Sequence, residues 1–167
     1  MSGLVLKLQP GEQILVNGVV MQNGDRRAQL RIKTKDANIL RLRDALHPDE
    51  ANTPVKRVYY AAQLVVAGES NGEEVGPGIA KDIDVLIGIF RDQESLEALA
   101  AAKRQIVDGQ FYFALRELKK VLPTEETLLN LNRAEAASAP QGAGPSIDRA
   151  GERAGAQPHA SQRATKI

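Results

Sequence analysis

The chain has 167 residues, of which 43% are hydrophobic, 26% charged and 4% aromatic, and its 22 basic and 21 acidic side chains leave a formal net charge of +1. That length accommodates one domain with room for a tail, and the composition is that of an ordinary globular chain. With no cysteine and two histidines, His47 and His159, it excludes a disulfide framework, a thiolate nucleophile, Cys-ligated zinc or iron–sulfur and a multi-His metal site, so no cofactor or metal is expected.

Leu4, Leu6 and Leu8 alternate with Val5 and Lys7 and predict a strand. Gln9-Pro10-Gly11-Glu12 is a turn, and Ile14 to Val16 a second strand. Asn17-Gly18 is the strongest hairpin signal, because a type I′ turn needs positive φ at both central residues. Val19-Val20-Met21 returns. Ala28, Leu30 and Ile32 alternate along a fourth strand reaching Lys33, and Ile39, Leu40 and Leu42 mark a fifth reaching Arg43. The first third thus reads as an antiparallel meander of about five short strands.

The period then changes. Thr53-Pro54 is a helix start, and Val55, Val58, Tyr59, Ala62, Val65 and Val66 recur at helical spacing up to Gly68. Glu69 to Gly78 reads as a loop. Apolar stripes over Ile79–Phe90, Leu96–Ile106 and Phe111–Leu118 predict three more helices, the third of these stopped before Pro123. Thr124 would cap a last short one. The expected architecture is α+β: a β-sheet region over 1–46, a four- to five-helix bundle over 47–137 forming one folded unit with it, and a tail over 138–167. Those last 30 residues hold seven Ala, four Gly and three Pro with two Ile as their sizeable apolar groups, too little to offset about 1–2 kcal/mol of backbone entropy per residue, so disorder is expected there.

No run approaches the ~18 apolar residues of a membrane span, and the opening MSGLVLKLQPGEQ lacks the regions of a secretory signal. No nucleotide-binding, metalloprotease or nucleophile-elbow motif occurs, so no enzymatic activity is expected. His47 and Asp49 sit in the connector before the first helix and read as solvated. Charge is distributed unevenly. Residues 1–46 hold eight basic and four acidic side chains, net +4, whereas 47–137 hold 10 and 15, net −5. Such asymmetry points to an anionic partner for one face. Alternation puts Arg31 and Lys33 on one side of their strand and Arg41 and Arg43 on one side of theirs. If those strands pair, the four share a face, with Arg26 and Arg27 at its lip and Lys7 nearby. That face suits a phosphate backbone.

Four separated blocks carry a family resemblance: LKLQPGEQILVNGVV (Leu6–Val20), NTPVKRVYYAAQLVV (Asn52–Val66), IAKDIDVLIGIF (Ile79–Phe90) and IVDGQFYFALRELKKV (Ile106–Val121). Together they resemble FlbT, the flagellum biosynthesis repressor family of alpha-proteobacteria, over about residues 3–131. The resemblance implies a cytoplasmic post-transcriptional regulator that associates with the 5′ untranslated region of flagellin mRNA and promotes its degradation; it implies no catalytic residues. Leu4-Val5-Leu6, Gly11-Glu12 and Leu42-Arg43-Asp44-Ala45-Leu46 also resemble the carbon storage regulator, a small RNA-binding β protein, which makes Arg43 a leading candidate for RNA contact. The basic pair after that family's first strand is Leu8-Gln9 here. A second class of function stays open: a protein-interaction module or chaperone-like adaptor for flagellin or another flagellar regulator. It would use Tyr60, Phe111 and Tyr112, and self-association would cover sheet edges.

Overall fold

A computed structural model describes residues 3–34 and 37–139. β1 (Leu4–Leu8) is one-sided, as its alternation requires, and pairs antiparallel with β4 (Ala28–Ile32), Leu6 opposite Leu30 and Val5 opposite Arg31. β2 (Gln13–Val16) pairs with β3 (Val19–Gln22) on one side and β5 (Ile39–Arg41) on the other. The hairpin turn has φ of 47° at Asn17 and 83° at Gly18, both positive as a type I′ turn demands.

The strands are antiparallel, but their order is not a simple meander. They form a two-stranded ribbon β1–β4 and a three-stranded sheet β3–β2–β5. The conditional pairing of the fourth and fifth strands is not met. The physical reason is burial: Leu6 and Leu8 of the ribbon close over Ile14 and Ile39 of the sheet, with Leu30 and Ile32 packed around them. The opposite face of the sheet presents Leu40, opposite Leu15, to the helices. β5 is therefore buried on both faces and joins two cores. It ends at Arg41, and Leu42–Asp44 is a single 3-10 turn, so Arg43 stands on a turn and not on the expected strand.

α1 (Pro54–Ala67) runs from Thr53, whose hydroxyl accepts from Lys56 N, to Gly68 at φ 83°, as expected. The connector before it is tied down by side chains of α1. Gln63 exchanges two hydrogen bonds with the Leu46 backbone, at 2.7 and 2.9 Å, and the Tyr59 hydroxyl donates to Asp44 O at 2.8 Å. α2 (Gly72–Ile89) corrects the expected loop: Asn71 caps it, and Gly76-Pro77-Gly78 lies inside it. Pro77 lacks the N–H that would have bonded Glu73 O, so α2 forfeits one intrahelical hydrogen bond there. α3 (Gln93–Val107) starts at Asp92, which accepts from Ser95 N, and gives way to Gly109 at φ 71°.

α4 (Phe111–Ser138) is continuous through Pro123, where a stop and a new helix were expected. Leu118, Val121 and Glu125 are buried along one face across that proline. The Glu125 carboxylate accepts from Val55 N at 2.8 Å and from the Thr53 hydroxyl at 2.5 Å, so α4 caps the start of α1. α4 packs on both α1 and α3, and α2 bridges those two. The expectation of disorder in the tail lies, beyond Ala139, outside the described residues.

Candidate nucleic-acid interface

The sheet's candidate cations fall into two groups, because their strands lie in different sheets. Across the ribbon, the exposed face carries Val5 and Lys7 from β1 opposite Arg31 and Gln29 from β4. Lys33, two residues past Arg31, is exposed as well. Arg26 and Arg27 occupy the turn leading into β4 and are exposed. Asn23 holds that turn by donating from its side chain to Gln9 O at 2.7 Å and Arg26 O at 2.8 Å.

The second group surrounds Glu12, whose side chain is 4% exposed. Arg41 Nη1 donates to Glu12 Oε1 at 2.7 Å, and Arg43 Nε lies 3.3 Å from the same oxygen. Gln9 N donates to Oε2 at 2.8 Å. Burial alone would raise the Glu12 carboxyl. The Gln9 hydrogen bond and the charges of Arg41 and Arg43 outweigh it and hold the group below its ordinary value. Arg41 also donates to Lys7 O at 3.1 Å and is mostly buried, so it serves as a structural clamp between β1 and β5. Arg43 keeps more than half of its side chain exposed and stays available to a ligand.

The aromatic candidates separate too. Phe111 is buried, its ring end seated where Gly72 and Gly76 leave space, and is withdrawn from any surface. Tyr60 is half-buried on α1. Tyr112 is half-buried, with one side against the small β core and an edge-on contact to Phe113 at 5.4 Å between ring centres. The Tyr59 hydroxyl, buried beside Asp44, is pushed up to about 12.

Three cations escaped the sequence reading. Arg116, Lys119 and Lys120 of α4 line, with Lys7 and Arg41, a cleft of about 550 Å³ between the β module and α4. The available signal was the helical spacing of Tyr112, Leu115, Arg116 and Lys119. The net negative charge of the helical segment concealed it. Among the described residues no cluster of His, Cys, Asp and Glu could hold a metal ion, and no helix is long and apolar enough to cross a membrane.

An α+β chain with a basic β module, clamped to a helical bundle, is the class of protein defined here. Its residues 4–129 match the family model described as flagellar protein FlbT. It is 33% identical over 126 residues to the probable flagellum biosynthesis repressor protein FlbT of Caulobacter sp. (strain K31), covering 75% of this chain and 95% of that protein. The flagellum biosynthesis repressor protein FlbT of Caulobacter vibrioides is 31% identical over 126 residues, 75% of this chain and 89% of its own. A probable counterpart in Chelativorans sp. (strain BNC1) is 30% identical, covering 77% and 87%. The chain belongs to the FlbT family. No solved structure matches it.

Proposed function

We propose that this protein is a non-enzymatic repressor of flagellum biosynthesis that acts after transcription. It associates with the 5′ untranslated region of flagellin mRNA and promotes its degradation, the cleavage being carried out by a separate nuclease. Family membership supports the repressor role. The observation that carries the RNA reading is the exposed cationic row Lys7, Arg31 and Lys33 with Arg26 and Arg27 at its end, none of which has an ion-pair partner among the described residues. Phosphate contacts of this kind position a nucleic acid, and each adds about 0.7 to the salt slope on a single strand.

The test is binding of the purified full chain to flagellin leader RNA and to a scrambled leader at two salt concentrations. Preference for the leader, with a slope that drops by roughly 1.4 in the Arg31→Ala/Lys33→Ala variant, is the expected result. Binding no tighter than to the scrambled control would overturn it. A protein-interaction reading draws on a different observation: β3 exposes Val19, Val20 and Met21 on an unpaired sheet edge, the kind of strand that recruits a partner chain. That reading predicts an inert protein in the RNA assay and a loss of partner binding in Val20→Lys.

A further inference from the structure

We infer that the cleft between β1 and α4 is a subsite for an unpaired stretch of RNA, with phosphates held on its cationic rim and a base laid against Tyr112. The inference rests on the RNA reading above and locates where that strand leaves the ribbon. One wall is the outer side of β1, where Lys7 belongs both to the cleft and to the exposed ribbon face, so the two surfaces are continuous. The other wall is α4, which brings Arg116, Lys119 and Lys120 to the rim on successive turns.

The acids near the cleft are already engaged. Asp44 is held by Lys119, Glu117 accepts from Lys120 at 2.7 Å, and Glu12 accepts from Arg41. Lys7 and Arg116 have no ion-pair partner among the described residues, which leaves an uncompensated cation on each wall. Between the walls lie Leu4, Leu115 and the exposed part of the Tyr112 ring. An apolar, aromatic floor under a cationic rim matches a splayed-out nucleotide, which offers a π face and a phosphate together. A duplex hides its base faces in the stack and would use only the rim. An acidic peptide would use the rim and gain nothing from the ring.

The experiment is fluorescence anisotropy of the full chain with labelled oligouridine, with a fully paired RNA duplex, and with flagellin leader RNA. Arg116→Ala is expected to weaken oligouridine binding and to lower its salt slope by roughly 0.7, the share of one contact. Tyr112→Leu, which keeps an apolar body against the β core, is expected to weaken oligouridine binding roughly 5- to 100-fold while leaving the duplex unchanged. Tyr112→Phe should restore it, and a thermal melt of each variant separates lost contact from lost fold. If the wild type prefers the leader but both α4 variants bind oligouridine as it does, the cleft is overturned and the ribbon reading stands. If the wild type shows no preference for the leader, the RNA reading itself fails. Equal loss on duplex and oligouridine in Tyr112→Leu, or competition by polyglutamate as strong as by oligouridine, makes the cleft a general polyanion or acidic-peptide site and overturns the inference.

Discussion

Glu12 is one carboxylate doing three jobs: it closes the Gln9 turn, holds Arg41 between β1 and β5, and gives Arg43 a partner. Its charged form is favoured in the folded state, so its folded value lies below the ordinary 4.5. The stabilisation is therefore fully present above about pH 4.5 and is lost as pH falls through the folded value. Asp92, held down by its bonds to Ser95, acts in the same direction. A melting-temperature profile should fall on the acid side of pH 4.5; Glu12→Gln should lower the plateau and flatten part of that fall. An unchanged profile would show that the clamp contributes nothing. Gly72 makes the opposite demand, for space. A Cβ there would stand 2.6 Å from Phe111 Cε2 and 3.0 Å from Val65 Cγ1, so the ring, buried at the start of α4, must shift to admit it. Gly72→Ala should cost about 1–3 kcal/mol in denaturant melts. The cost should shrink when Phe111→Leu is made with it, because the two sites share one contact.

At the scale of elements, α4 decides most of what the helical half does. It supplies the central face of the bundle, the cap of α1 through Glu125, and the outer wall of the cleft. Glu125→Ala leaves the buried Val55 N–H without an acceptor and strips Thr53 of a partner. A loss of about 1–3 kcal/mol is expected, read as a shift in the denaturant midpoint with the slope retained. A loss below a few tenths would mean that water replaces the carboxylate. The start and end of α1 and the Asn17-Gly18 hairpin were legible in the sequence, because caps, Pro at the first helical position and positive-φ residues act locally. The start of α2 and the continuity of α4 were not. Gly76-Pro77-Gly78 and Pro123 carry strong local signals for a break. Tertiary burial overrides them, of Phe111 against the glycines and of Val121 and Glu125 on either side of the proline.

Across the whole molecule, β5 is the hinge of the architecture: Ile39 enters the β core and Leu40 the helical core. The two halves should therefore unfold together, with amide hydrogen exchange giving the same global opening free energy in β2 and in α3; a lower value in one of them would show two independent units. Among the described residues every buried side chain lies at or before Glu125. A chain ending at residue 139 keeps all of these buried side chains and is expected to melt within about 2 °C of the full chain. A larger drop would assign the removed segment a structural role. The candidate interface is likewise a property of the whole, since its cations come from β1, β4, the turn at Arg43 and α4.

The sequence by itself determined the α+β class, the number and approximate limits of the strands, most helix ends, the basic character of the first third and the family. Each of these depends on neighbours within a few residues, or on composition and motif. Only the tertiary structure decided that β4 pairs with β1, that Arg41 is committed to Glu12, that Phe111 is withdrawn into the core and that Arg116, Lys119 and Lys120 face Lys7. Those outcomes follow from which apolar faces bury against each other. That is settled between residues tens of positions apart, where local periodicity carries no information about partner or register.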